Sequence, residues 1–201
     1  MINIINMYFN YNKKRNIIQV GGKIMIIGIC GKSGSGKSTL ARQIIKHNKN
    51  AIHLDIDKIG HQILLIDEVK NELEKSFGNS IIQGNNIDRK KLGEIVFASR
   101  KEMKKLSDIT WKYMQIEIDN FLSENKDNIV ILDWILLYIS KYFNMCDIKI
   151  LLDVPYEIRK QRAMKRDNIS KETFALREKA SIEFDKKDFD YILDKNEEEI
   201  V

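Results

Sequence analysis

Apolar positions along the chain fall into short continuous runs that alternate with longer stretches of helical spacing. Ile24-Met25-Ile26-Ile27-Gly28-Ile29-Cys30 is continuous, too short for a helix, and rich in β-branched residues. Such a run predicts a strand buried on both faces of a parallel sheet. Between Lys37 and His47, Leu40, Ala41, Ile44 and Ile45 recur at helical spacing, and Ala51-Ile52-His53-Leu54 before Asp55 predicts a second strand. Asp57 opens another helix; Val69 to Phe77 and Arg89 to Phe97 carry i, i+3/i+4 apolar spacing, punctuated by Gly78 and Gly84-Asn85. A long helix is predicted from about Arg100 to Glu124. Ile129-Val130-Ile131-Leu132 ending at Asp133, Ile148 to Leu152 ending at Asp153, and Tyr191-Ile192-Leu193 supply further strands. Tyr156 to Lys165 is a basic helix behind Pro155, the single proline, which a first helical turn tolerates. Strands alternating with helices predict an α/β fold with a doubly wound, mostly parallel sheet.

A chain of 201 residues suits one domain, or one domain with a small lid. At 43% hydrophobic and 31% charged it can bury a sizeable core. No apolar run approaches the roughly 18 residues of a membrane span, so no membrane partner is expected. Cys30 and Cys146 stand far apart without a CxxC pair. That excludes a disulfide scaffold and a cysteine zinc site, fits a reducing cytosol, and predicts a cytoplasmic protein. The three histidines all lie between Lys46 and Gln62, which argues against a histidine metal centre.

The formal charge of +5 does not predict a nucleic-acid partner. Lys13, Lys14, Arg15 and Lys23 supply four of those charges from residues 1–24, which carry no acid, and the body is within one charge of neutral. Residues 1–23 are Asn-rich, without a sustained period, and fit neither a secretory signal nor a transit peptide. The expectation is an extension outside the fold, with translation starting at Met25. Val20-Gly21-Gly22-Lys23 is encodable by a purine-rich stretch like a bacterial ribosome-binding site. The other reading is a floppy extension with no role.

Gly31-Lys32-Ser33-Gly34-Ser35-Gly36-Lys37-Ser38, followed by Thr39, fits G-x-x-x-x-G-K-[ST] between a buried strand and an amphipathic helix, the context a phosphate-binding loop requires. Glycines let successive backbone N–H groups point into one concavity, and the helix N-terminus adds partial positive charge. Lys37 supplies a mobile cation for the β and γ phosphates of ATP, and Ser38 a hydroxyl for Mg²⁺. The bland alternative is an ordinary glycine turn. No Asn/Thr-Lys-x-Asp motif speaks for a GTPase, and the chain is short for a motor domain. The pattern predicts a small-molecule kinase.

Ligands of open α/β sheets sit beyond the carboxyl ends of the strands, where Asp55, Asp57, Asp133 and Asp153 fall. Asp57 either aligns an attacking hydroxyl across the crevice or caps a helix beginning at Lys58. Asp133 either organises Mg²⁺ or caps, and Asp153 reads as a turn or cap residue. Arg159, Lys160, Arg162, Lys165, Arg166 and Arg177 form a basic segment, interrupted by a loop at Asp167-Asn168-Ile169-Ser170. It is either an arginine lid that closes over a transferring phosphoryl group or a solvated helix face. Arg162 and Arg166, one turn apart, share a face.

Together these blocks resemble dephospho-coenzyme A kinases over nearly all of 25–196. The matching pieces are GKSGSGKST; His53-Leu54-Asp55-Ile56-Asp57-Lys58-Ile59-Gly60-His61 for the family's D-x-D segment; Phe77-Gly78; Ile87-Asp88-Arg89 through Phe97 for R-x-x-L-x-x-x-[IV]-F; Leu136-Leu137; Asp153, Arg162 and Arg166-Asp167; and Arg177 with Asp190 to Asn196. The resemblance implies a P-loop nucleoside/nucleotide kinase-like fold: a single kinase domain over 25–201 with a core, a helical acceptor-binding part near 60–125 and a lid near 159–185. It implies transfer of the ATP γ-phosphoryl group to the ribose 3′-hydroxyl of dephospho-coenzyme A, the last step of coenzyme A synthesis. By position, Asp57 matches the base, and Gly31, Ser33, Gly34, Ser35, Gly36, Lys37, Ser38, Thr39 and Arg166 the ATP–Mg²⁺ side. Arg89 matches a substrate residue, and Arg162 and Arg177 lid residues. Three departures fall on the acceptor side. Thr110-Trp111 replaces the family's His-Pro, Ile135-Leu136-Leu137-Tyr138-Ile139 replaces P-L-L-x-E, and Ser181 replaces a Gln after Arg177. These keep open a divergent kinase of another nucleoside or nucleotide, or a nucleotide-binding regulatory module.

Overall fold

A computed structural model of the chain describes residues 24–194. The expected extension, apart from Ile24, and the Lys195-Asn196 end of the resemblance lie outside the described residues. In chain order the elements are β1 Met25–Cys30, α1 Lys37–His47, β2 Ala51–Asp55, α2 Ile56–Gln62, α3 Asp67–Phe77, β3 Ile82–Gln83, β4 Asn86–Ile87, α4 Arg89–Ala98, α5 Arg100–Glu124, β5 Ile129–Asp133, β6 Ile148–Leu152, α6 Tyr156–Asp167, α7 Lys171–Lys179 and β7 Tyr191–Leu193. The chain forms two compact units, one of Ile56–Glu124 and one of the residues before and after that segment.

The first unit is a parallel five-stranded sheet in the order β2-β5-β1-β6-β7. Central β1, β5 and β6 are buried almost along their whole length, as continuous apolar runs in a parallel sheet flanked by helices must be. Edge strands β2 and β7 are only partly buried. One core cluster joins Ile27, Ile29, Ile131 and Ile150 of the sheet to Leu40, Ala41 and Ile44, the apolar stripe of α1. Each of these Ile and Leu side chains taken from water contributes about 1.5–3 kcal/mol. Register fixes the functional edge. Ile29 pairs with Asp133, and Asp133 with Asp55, so both acids sit at the carboxyl edge where β1 gives way to the glycine-rich loop.

The second unit is helical around a small antiparallel hairpin of β3 and β4. Val69 and Leu73 of α3 and Leu92 and Val96 of α4, each pair one turn apart, enclose Ile81 and Ile87. Among the described residues, no helix is long and apolar enough to cross a membrane.

The observed strands and long helices follow the hydrophobic pattern closely. Helix α2 begins at Ile56, so Asp57 lies inside its first turn and is not the cap of a helix starting at Lys58. Asp153 does not cap α6 either. Pro155 holds the N-cap position, and Asp153 pairs with Lys186 at 2.5 Å. Two features carry no periodic signal: the hairpin, with strands of two residues, and α7, which buries only Phe174. Helix α7 is set by its ends. Ser170 accepts from the Thr173 amide, with Glu172 in the first turn and Arg177 and Lys179 in the last.

At the start of α4, Asp88 accepts hydrogen bonds from the amides of Lys90 and Lys91 at 3.0 and 3.1 Å. Asp88→Ala leaves both donors without that partner. It is expected to lower unfolding stability by about 0.5–2 kcal/mol, measured by urea titration; an unchanged midpoint would show that water replaces the cap at no cost.

Candidate active site

Residues 31–36 carry the chain from the end of β1 into α1. Gly34 has φ 79°, and a Cβ there would stand 2.2 Å from the Arg159 carbonyl oxygen, so both backbone conformation and space exclude a side chain. Gly36, at φ 95°, is the N-cap of α1 and offers no side-chain acceptor to the first helical amides. The first turn of α1 contains no acid, so its free N–H groups keep their positive potential. Lys37 folds back over the loop, its Nζ donating to the Gly31 carbonyl at 3.1 Å. Ser35 is 3% exposed, and its Oγ has no hydrogen-bond partner among the described residues. A buried hydroxyl left unpaired is costly; here it lies in the loop that leads into the uncapped, acid-free N-terminus of α1.

Across the edge of the sheet, Ser38 Oγ donates to Asp133 Oδ2 at 2.6 Å. Asp133 ends β5 and is 2% exposed. His53, on the neighbouring strand, brings Nε2 to 3.4 Å from the same oxygen, an approach that falls short of hydrogen-bond geometry and leaves Nε2 buried without a partner. Burial by itself would raise the Asp133 carboxyl. The His53 imidazole, the Lys37 charge and the Ser38 hydroxyl outweigh it and hold the group below its ordinary value. Asp133 is thus no helix cap but a charged acceptor at the mouth of the loop. A hydroxyl and a carboxylate are oxygen donors suited to a hard cation, and Mg²⁺ typically takes one or two protein ligands beside phosphates. No group of three or more His, Cys, Asp or Glu side chains that could hold a metal occurs among the described residues.

The basic segment separates into two kinds of residue. Arg159 is 5% exposed and does not belong to a solvated face. Its Nε donates to the Val154 carbonyl at 2.8 Å, and its two Nη atoms donate to Glu178 of α7 at 2.8 and 2.9 Å. Arg166 and Arg177 both bind Asp167, at 2.7 and 2.5 Å, and with Arg166 leading they draw its carboxyl below the usual range against a smaller effect of burial. Arg162 is half-buried on α6. In the second unit, Asp57 is exposed in α2. Arg89, exposed at the start of α4, donates to His61 Nε2 at 2.8 Å, which requires the tautomer with that nitrogen bare.

The structure therefore gathers Gly31, Ser33, Gly34, Ser35, Gly36, Lys37, Ser38, Thr39 and Asp133 at one edge of the sheet, with Arg162, Arg166 and Arg177 on α6 and α7 of the same unit. Asp57 and Arg89 belong to the other unit. Sequence reasoning overlooked His53 and Glu178. His53 was legible as a polar residue inside a strand; Glu178 carries no signal, being 19 residues from Arg159 on a helix without an apolar stripe.

A model of the dephospho-CoA kinase family matches residues 25–200. A protein of Fusobacterium nucleatum named dephospho-CoA kinase is 37% identical over 154 residues, 74% of this chain and 77% of its own length. Among solved structures, TT1252 from Thermus thermophilus superposes with a TM-score of 0.74 at 26% identity, over 87% of this chain and 90% of that one. A dephospho-CoA kinase from Campylobacter jejuni gives 0.58 at 26% identity, over 86% and 89%.

Because the folded Asp133 carboxyl titrates below its ordinary value, its charge contributes stability that is fully present above the unfolded value of about 3.9 and is lost as pH falls through the lower folded one. The gap in unfolding free energy between the native chain and Asp133→Asn is expected to stay constant from about pH 7 to about pH 5 and to close only in more acidic solution. Urea titrations across that range check it; a gap already closing near neutrality would contradict the assignment.

Proposed function

The chain belongs to the dephospho-CoA kinase family, and from that premise we propose that it transfers the ATP γ-phosphoryl group to the ribose 3′-hydroxyl of dephospho-coenzyme A. In this reading the amides of residues 31–38 wrap the donor's phosphates, and Lys37 leaves the Gly31 carbonyl to meet the β and γ oxygens. Ser38 and Asp133 are the residues that would hold Mg²⁺. Mg²⁺, when bound, withdraws charge from the phosphate oxygens. Arg162 and Arg166, in a lid near 159–185, offset the charge that spreads over the transferring group. Arg89 and Arg177 hold the acceptor, with the helical part near 60–125 as its bed. Asp57 accepts the hydroxyl's proton and aligns its oxygen. In a loose phosphoryl transition state that alignment matters more than full deprotonation. A reducing, cytoplasmic setting fits the two buried free thiols.

The observation that carries the reading is the 2.6 Å bond from Ser38 to buried Asp133, which sets a loop hydroxyl and a carboxylate side by side at the phosphate cradle. A second reading, another nucleoside or nucleotide as acceptor, draws support from Ile139, which is 65% exposed where the family pattern carries a glutamate.

Dephospho-coenzyme A is expected to stimulate ADP release over background ATP hydrolysis in a coupled assay. No stimulation by it, with stimulation by another nucleoside, would overturn the acceptor assignment. Asp57→Asn is expected to lower kcat by about 10²–10⁴-fold with ATP affinity near that of the native chain. Equal losses in both would remove Asp57 from the reacting centre. Lys37→Ala is expected to weaken ATP binding and turnover together.

A further inference from the structure

Behind the phosphate-binding loop lies a charge network that the proposed reaction leaves unused. Its centre is Glu178, on the last turn of α7. One side of its carboxylate receives the forked guanidinium of Arg159 at 2.8 and 2.9 Å, and Oε1 also receives Lys32 Nζ at 3.4 Å. Lys32 is itself a loop residue, second in the glycine-rich motif, and reaches Glu183 Oε1 at 2.7 Å with its remaining capacity. Arg159 also contacts the loop by its backbone and its side chain. Its carbonyl oxygen occupies the space a Cβ on Gly34 would need, and its Nη1 approaches the Ser33 carbonyl at 3.4 Å. Arg159 is thus the floor on which residues 33 and 34 rest.

An arginine 5% exposed needs a counter-charge, because a buried ion without its partner is strongly destabilising. Glu178 supplies it with two parallel bonds, the strongest pairing the two groups can make. Val154 takes the third donor, so the guanidinium is fixed in plane and position. The side chain that sets the shape of the loop is in turn set by a carboxylate on a helix further along the chain.

We propose that Glu178 is a positioning residue for the nucleotide site: through Arg159 and Lys32 it holds the backbone of Ser33 and Gly34 in the conformation that points the loop amides at phosphate. The docking of α7 and the affinity for the nucleotide are therefore one property. The inference rests on the reading of residues 31–38 as the ATP site and adds a residue whose effect falls on the donor, not on the acceptor. Lys32 serves the same end from the outer side of the loop, where its charge is spent on Glu178 and Glu183, so that Lys37 is the cation of the motif left to move.

Glu178→Gln keeps the shape and one acceptor oxygen but removes the charge facing Arg159. With the full chain, titration calorimetry with MgATP is expected to show affinity reduced about tenfold or more, with the ATP KM raised in parallel. The KM for dephospho-coenzyme A is expected to stay within about twofold of the native value. The double variant Arg159→Gln/Glu178→Gln, which leaves no buried charge unpaired, is expected to recover part of the lost affinity. A purely structural role would lower the melting temperature and raise both KM values together, without recovery in the double variant, and would overturn the proposal. So would native MgATP affinity in Glu178→Gln. Should that variant fail to fold, Lys32→Gln removes only the outer arm and is expected to show the same donor-selective loss, smaller in size; unchanged affinity there overturns the proposal. Absence of MgATP binding by the native chain would instead remove the reading of the loop itself, and this inference with it.

Discussion

A protein that grips phosphate with main-chain amides must leave those amides unpaired inside a folded structure, where an unsatisfied N–H is ordinarily a defect. If residues 31–38 are such a grip, as proposed, their arrangement follows from that constraint. A helix N-terminus is the one place where regular structure leaves several donors free and pointing the same way. It has to be presented at the end of a rigid strand, and β1, central and buried between β5 and β6, is that strand. The turn between them has to be tight enough that Gly34 presses on the Arg159 carbonyl, which excludes any side chain at that position. Even the orphaned hydroxyl of Ser35 belongs to this pattern of donors held ready.

The second consequence is electrostatic. Cations gathered near such a loop repel one another unless they are given counter-charges, and the fold supplies these one by one. Glu178 takes Arg159 and Lys32, Asp167 takes Arg166 and Arg177, and buried Asp133 takes the Ser38 hydroxyl under the field of Lys37. Paired charges of this kind add little net stability, since desolvation offsets most of the attraction, but each fixes a direction. Lys37 donates to the Gly31 carbonyl and lies in the field of Asp133.

Strand positions were legible because a parallel sheet covered on both faces needs unbroken apolar runs, and Ile26 to Cys30 or Ile129 to Leu132 leave no other reading. The loop was legible because glycine spacing is dictated by backbone sterics. The hairpin at Ile82–Ile87 and helix α7 were not, since each is too short or too sparsely apolar to generate a period. Arg159 shows the limit most clearly. In sequence it is one of several bases on a helix, indistinguishable from Lys160 or Lys165. In the structure it is buried and bonded to the Ser33 carbonyl, 126 residues earlier, and to a glutamate one helix later. Periodicity reports which face of a helix is apolar; it says nothing of an ion pair whose two halves come from different elements. Asp57 was legible as an acid beyond a strand, whereas its exclusion from the cap position depends on where α2 starts, a boundary that pattern alone places only to within a residue or two.

The same distinction explains why the donor half of the motif is intact while the acceptor half has drifted. On the proposed reading phosphate is recognised largely by backbone, and backbone geometry tolerates change only where glycine is not required. Gly34 and Gly36, at φ 79° and 95°, are the positions where a side chain is excluded or strained. An acceptor is recognised by side chains, so each substitution changes the chemistry offered. Thr110 spends its hydroxyl proton on the Leu106 carbonyl of its own helix at 2.9 Å, and so keeps only acceptor capacity where an imidazole would offer two ring nitrogens. Ile139 presents an exposed aliphatic surface in place of a carboxylate. The first change exchanges an imidazole for a hydroxyl already engaged by its own helix, and the second removes a carboxylate. On the proposed reading, an acceptor site that offers fewer ring nitrogens and carboxylates holds fewer polar groups that a wrong ligand would leave unpaired. Because unpaired polar groups are what reject a wrong ligand, such a site would discriminate less sharply among ribose acceptors, while the glycine-rich loop is untouched by these changes.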